Sequence, residues 1–237
     1  MNTAIILAGG IGSRMCTNGI PKQYLLVCGK PILVYTLEKF QSSEYIEKII
    51  IVAHAEYHDC INEWLKLYGI TKFYGFACQG ESRQESILNG LHVAVSDGVL
   101  SIDKVIIHDS VRPLVSQDLI SHCLKEIDEH DGCMPVISVN DTIYQSHDGK
   151  KISTLLDRST LYAGQSPEAF NLTKYYKVNV STDRKVLNEI KGSSEIAFSN
   201  GFDVSLIPGE VSNFKLTTPE DLARFEVILR NSENESI

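Results

Sequence analysis

Residues 3–22 read TAIILAGGIGSRMCTNGIPK: a short β-branched apolar run, glycines at 9, 10 and 12, an arginine at 14, and a Pro-Lys pair at 21–22. A turn out of a buried strand needs one glycine or two. Here the backbone stays nearly bare and two cations follow it. Glycines let a polyanion approach the main chain, and N–H groups in such a turn hold phosphate oxygens. The reading is therefore a strand followed by a loop under a phosphate ligand. A turn with no ligand is the alternative, and the Pro-Lys pair weighs against it.

Working outward, apolar strands alternate with amphipathic stretches. Residues 3–8, 48–54 (KIIIVAH) and 104–108 (KVIIH) are continuously apolar, as in strands covered on both faces. Residues 32–41, 56–68 and 83–96 carry apolar side chains at helical spacing. This order predicts an α/β, Rossmann-like fold: a mostly parallel sheet with helices on both faces. At 237 residues with 43% hydrophobic content, one domain over 1–237 is expected. One segment breaks the rhythm. DTIYQSHDGKKISTLL (141–156) sets two alternating runs around Asp148-Gly149, a hairpin signal. It reads either as a projecting β-arm, at about 140–166, that finds a partner subunit, or as an antiparallel extension of the sheet.

The net charge of −8 argues against broad binding to nucleic acid or an anionic membrane. The apolar run at the start is too short for a signal peptide core, and no later run is long enough to cross a bilayer. The six cysteines are scattered without a C-x-x-C pair, so reduced thiols and a cytoplasmic location are expected. His54 and His58 have helical spacing for a metal, but no third ligand is near in sequence, and surface positions are the simpler reading.

Two familiar nucleotide loops fit poorly. No Gly-Lys-Ser/Thr follows the glycines, as an NTPase phosphate loop requires, and the third glycine of a dinucleotide fingerprint is Met15. The longer pattern does resemble a known family. LAGGIGSRM, PKQYLLVCGKPILVYTLEKF, QGESRQESILNGL (79–91), HDSVRP (108–113), LDRSTLYAGQSPEAF (156–170) and NFKLTTPEDL (213–222) are similar, in order and spacing, to the cytidylyltransferases acting on methylerythritol phosphate and ribitol phosphate.

The resemblance implies attack by a substrate phosphate oxygen on the α-phosphate of CTP, with pyrophosphate leaving. It assigns Arg14 and Lys22 to catalysis, and Leu7, Ala8, Gly9, Gly10, Gly12, Gly80, Arg83, Ser86 and Ser110 to CTP. It assigns Thr142, Arg158, Lys215 and Arg112 to the second substrate's phosphate, and Asp109 to Mg²⁺. Asp109 ends an apolar strand, where a hard oxygen suits magnesium, though it also suits a turn cap. Arg83 alternatively reads as a surface helix residue. His108 reads as oriented by hydrogen bonds rather than as a base. The arm residues would reach the partner's site, making a homodimer functional.

The chain departs from the family where Thr-Asp usually precedes the turn at Gly201. Lys191 and Gly192 stand there, with Glu189 or Glu195 as the nearby acids. LAGG, HDSVRP and YAGQSPEAF lean toward the ribitol-phosphate side, so the expected acceptor is a polyol phosphate destined for a cell-surface polymer such as a capsule or teichoic acid. The methylerythritol-phosphate enzyme and a non-catalytic nucleotide binder are the alternatives. Retention of Arg14, Lys22, Asp109, Arg158 and Lys215 argues against the binder.

Overall fold

The computed structural model describes residues 1–10 and 19–234. The three apolar runs form β1 (Asn2–Leu7), β4 (Lys48–Ala53) and β6 (Lys104–Asp109). Between β1 and β4 come the short hairpin β2 (Leu26–Val27) and β3 (Lys30–Pro31), then α1 (Ile32–Gln41). After β4, a 3₁₀ turn over Ala55–Tyr57 leads into α2 (His58–Leu67), then β5 (Phe73–Cys78) and α3 (Arg83–Ala94). Strands β4 and β6 flank β1, all parallel, and β5 adds parallel to β4. The register sets Ile5 beside both Ile50 and Ile107, so one row of isoleucines faces α3.

The chain thus steps outward from β1 to β4 to β5, and α3 then carries it back to β6 on the far side of β1. Ligands of open α/β sheets bind at the carboxyl ends of strands where that order reverses. The apolar side chains of α1, α2 and α4 (Gln117–Glu126) cover one face of the sheet. The other face is covered by α3, α5 (Leu172–Ser181), α6 (Arg184–Glu189) and α7 (Ser193–Ser199).

The second half of the sheet is mixed. Strand β7 (Gly132–Ser138) pairs along one edge with β10 (Tyr162–Gly164) and β11 (Glu168–Asn171), both antiparallel. Strand β12 (Val204–Pro208) runs parallel on its other edge, and β11 joins this half to β6. A third apolar cluster of Val27, Ile32, Val111, Leu216 and Phe225 sits beneath α8 (Pro219–Asn234). It fixes the segment before α8 against the end of β6.

The hairpin expected at 141–156 is present. Strands β8 (Tyr144–Gln145) and β9 (Thr154–Leu155) pair antiparallel, apart from the main sheet. Gly149 takes φ +69° at its tip, and Asp148 accepts the Lys150 and Lys151 N–H groups. Tyr144 and Leu155, opposite each other, are 56% and 61% exposed. The hairpin is an arm rather than an extension of the sheet, but the arm is shorter than the expected 140–166: β10 at Tyr162–Gly164 has already returned to pair with β7, and Gln165 and Ser166 are buried. No helix among the described residues is long and apolar enough to cross a membrane.

Candidate active site

The site lies where the switch in strand order predicts, at the carboxyl ends of β1 and β6. A cleft of about 340 Å³ is lined by Leu7, Gly9, Gly10, Lys22, Gly80, Arg83, Ser86, Asp109, Ser110 and Lys215, among others. Ten of the residues singled out in the sequence therefore converge there. Gly12 and Arg14 lie outside the described residues.

Each wall has a local cause. After β1 the loop is held from below. Gln23 donates its amide to the carbonyls of Ala8 (2.5 Å) and Gly10 (3.0 Å), and the buried Tyr24 hydroxyl donates to Ala8 O (3.0 Å). The Ala8 N–H bonds Val52 O, so Ala8 anchors the loop and does not line the cleft. Gly10 lines the cleft, and a Cβ on it would meet nothing among the described residues within 4 Å. Pro21 (φ −60°) fixes the entry to the 3₁₀ turn that begins at Lys22.

The second wall is the loop before α3. Ser82 caps the helix by accepting Glu85 N–H, while the Glu85 carboxylate accepts Glu81 N–H, a reciprocal cap. Gly80 donates its N–H to Ser86 Oγ (3.0 Å), and a Cβ there would fall 2.6 Å from Glu85 Cβ. The loop closes only because Gly80 lacks a side chain. The third wall is the end of β6, where Ser110 is fixed by its N–H to Leu7 O and by Thr36 on its carbonyl.

Asp109 sits among cations. Its Oδ2 lies 2.9 Å from Lys215 Nζ and 3.6 Å from Arg112 Nε, and its Oδ1 lies 3.5 Å from Arg83 Nη2. Burial pushes its carboxyl up, but Arg83, Lys215 and Arg112 outweigh burial and hold it well below the usual range. His108 beside it is fully buried. Burial pushes its pKa down to about 4, so the ring is neutral. Its Nε2 donates to Arg112 O (3.0 Å), and Ser166 Oγ, which accepts Asp109 N–H, donates to Nδ1 (3.2 Å). His108 is thus oriented by hydrogen bonds at both ring nitrogens, as expected. Arg83 is no surface residue: it opens α3, reaches Asp109, and also approaches Glu168 Oε1 at 3.5 Å.

A second lobe of about 370 Å³ adjoins the first and shares Arg83, Asp109 and Lys215 with it. Arg112, Met134, Gln165, Glu168, Lys191, Gly192, Ser194 and Glu195 contribute to its lining. Of the two acids near that departure, Glu195 lines this lobe, its carboxylate accepting Lys191 N–H (2.8 Å), whereas Glu189 is exposed and lines neither lobe. Thr142 and Arg158 are exposed on the arm and line neither lobe of their own chain; Arg158 donates to Asn140 O.

Sequence reasoning missed Glu168, Gln79 and Ser194. None of the three stands out in sequence: Glu168 opens the short strand β11, whose four residues EAFN begin and end on polar side chains. His58 stacks on Phe76 at 3.9 Å instead of pointing toward His54, and the five described cysteines are free.

Comparison with known proteins agrees with the geometry. The family profile of 2-C-methyl-D-erythritol 4-phosphate cytidylyltransferase, IspD, matches residues 2–231. A ribitol-5-phosphate cytidylyltransferase of Streptococcus agalactiae serotype III is 32% identical over 241 residues, covering 100% of this chain and 99% of its own. A 2-C-methyl-D-erythritol 4-phosphate cytidylyltransferase of Rubrobacter xylanophilus is 40% identical over 232 residues, covering 97% and 95%. The solved 4-diphosphocytidyl-2C-methyl-D-erythritol synthase of Anaerococcus prevotii shares the fold, with a TM-score of 0.80 at 24% identity over 97% of this chain and 96% of its own. The Francisella tularensis 2-C-methyl-D-erythritol 4-phosphate cytidylyltransferase gives 0.78 at 25% identity over 95% and 99%. A cleft built from bare backbone and cations, on a sheet of this order, therefore has its place among nucleotidyltransferases: the chain belongs to the 2-C-methyl-D-erythritol 4-phosphate cytidylyltransferase family, IspD.

Proposed function

We propose that this protein transfers CMP from CTP to the phosphate of a sugar alcohol, ribitol 5-phosphate or a related alditol phosphate, releasing pyrophosphate. The observation that carries this reading is that two lobes meet at Arg83, Asp109 and Lys215. The first has the glycine-bordered wall suited to a nucleotide, and the second carries Arg112 and Lys191 for an anionic acceptor. A phosphate oxygen of the acceptor forms a bond to the α-phosphorus of CTP. The bond from that phosphorus to the bridging oxygen breaks, and its electron pair leaves with pyrophosphate.

The protein's part is alignment and charge stabilisation. Lys22, from the first lobe, faces the charge that builds on the pentacovalent phosphorus, and Arg14 belongs to the same reading. Lys215 and Arg112 hold the acceptor phosphate, Arg112 kept in place by its bond to Asn213 O (2.6 Å). Among the described residues no group of three His, Cys, Asp or Glu side chains is placed to hold a metal. Magnesium nevertheless suits one carboxylate completed by substrate phosphates, and Asp109, held ionised in both lobes, is that carboxylate. When bound, the ion would neutralise phosphate charge.

The reading extends to a cytoplasmic homodimer in which the arm brings Thr142 and Arg158 to the partner's second lobe, with a product that feeds a cell-surface polymer. The 40% identity to a methylerythritol-phosphate enzyme favours one alternative acceptor. Pyrophosphate release is measured with CTP and Mg²⁺ against glycerol, ribitol and hexitol phosphates and methylerythritol 4-phosphate. Turnover is expected with a straight-chain polyol phosphate. A preference for methylerythritol phosphate moves the enzyme to isoprenoid synthesis, and inertness toward all leaves a nucleotide binder.

A further inference from the structure

Glu168 opens β11 with its side chain 8% exposed, and its two carboxylate oxygens serve different walls of the site. Oε1 lies 3.5 Å from Arg83 Nη2, at the boundary of the two lobes. Oε2 accepts both the N–H (2.9 Å) and the hydroxyl (2.6 Å) of Ser194, in the first turn of α7, which walls the second lobe. Arg83 closes the ring from the other side by donating Nη1 to Ser193 Oγ. A buried layer lies beneath: Gln84 donates to Tyr175 OH (2.9 Å), which donates to Ser193 O (3.0 Å). Three segments distant in sequence are thereby locked together by one buried acid.

Arg83 Nη2 is equally far, 3.5 Å, from Asp109 and from Glu168. The guanidinium is therefore shared between two carboxylates. Without the charge on Glu168 it has one anionic partner left and is drawn toward Asp109. Of the two ties between the start of α7 and the reaction centre, the one through Ser194 is then weakened and only the Arg83–Ser193 bond is left intact.

We propose that Glu168 is a positioning residue for the acceptor: it divides Arg83 between two carboxylates and holds the first turn of α7, setting where the second substrate sits relative to the nucleotide. This rests on the cytidylyltransferase reading, with the acceptor in the second lobe. The effect falls on acceptor binding and alignment: Glu168 and Ser194 line the second lobe and not the first, while Arg83, which lines both, keeps Asp109 as its partner at the nucleotide side.

The test compares Glu168→Gln, Glu168→Ala and Ser193→Ala with wild type. CTP affinity is read by calorimetry, and acceptor KM and kcat are read with whichever phosphate the wild type turns over. Hydrogen bonds to charged groups set the scale, so Glu168→Gln is expected to raise acceptor KM about tenfold while CTP Kd stays within about twofold. Glu168→Ala, which also strips Ser194 of its acceptor, is expected to raise KM about a hundredfold. Ser193→Ala removes one buried hydroxyl and carries the test if the Glu168 variants do not fold; it is expected to shift acceptor KM in the same direction. Acceptor KM within about twofold of wild type in the folded variants overturns the proposal, as does a matching rise in CTP Kd. A wild type inert toward every acceptor sinks the functional reading, and this proposal with it.

Discussion

Gly10 and Gly80 are both bare positions in the nucleotide cleft, but for different physical reasons. A methyl on Gly80 would collide with the Glu85 side chain at 2.6 Å and with its backbone at 2.8 Å, so the loop itself has to move. A methyl on Gly10 meets no described atom within 4 Å. Gly80→Ala is therefore expected to destabilise the fold by about 1–3 kcal/mol, as overpacking does. Gly10→Ala should leave Tm unchanged and weaken CTP about tenfold, the scale of one lost hydrogen bond to a charged phosphate. Thermal unfolding and CTP titration of both variants check this; wild-type CTP affinity in Gly10→Ala would mean that no phosphate lies over that residue. At this scale the sequence was readable wherever a residue type is scarce in its setting. A glycine run after a strand, or Asp109 closing an apolar run, stands out. Glu168 does not, because its role comes from Arg83 and Ser194, which are 85 and 26 positions away.

The elements divide in the same way. Helix α1 falls at 32–41 as its apolar spacing implies, and β1, β4 and β6 lie within a residue or so of their apolar runs. Both faces of those strands are buried, which makes the pattern continuous and strong. Strand β5 is half-buried at the sheet edge with Gly75 inside it, so its run carries little signal. The bend of the chain through β10 and β11 against β7 follows from tertiary pairing that no local pattern encodes. Helix α8 shows what such an element contributes. Phe225 is fully buried, edge-on to Tyr35 at 5.2 Å, in the cluster with Leu216, and Leu216 N–H bonds Val111 O (2.9 Å) beside Lys215. Phe225→Ala should cost about 3–5 kcal/mol in urea unfolding. It should also lower kcat by loosening the segment that presents Lys215. Phe198→Ala, at a side chain 75% exposed, is the control and should stay within about 0.5 kcal/mol of wild type. Equal stability losses in the two variants would mean that α8 holds nothing in place.

For the whole molecule the telling fact is what each chain's cleft lacks. Thr142 and Arg158, assigned to the acceptor phosphate, sit on an arm whose two paired strands are two residues each, with Tyr144 and Leu155 exposed. So short a hairpin is marginal alone and gains stability by packing on something else. In the proposed homodimer each site joins one chain's Lys22 to the other chain's Arg158. The geometry then dictates a mixing experiment. Lys22→Ala and Arg158→Ala homodimers have two damaged sites each and should be nearly inactive. In a heterodimer, one site collects both defects and the other collects neither: the intact Lys22 of one chain faces the intact Arg158 of its partner. Random exchange makes half the dimers mixed, so the mixture should recover about a quarter of wild-type activity per site. The gain should follow subunit exchange in time and be absent if the dimers are cross-linked before mixing. If each site instead used its own chain's arm, every cleft in the mixture would carry one defect, and activity would stay at the average of the two mutants however long they were incubated.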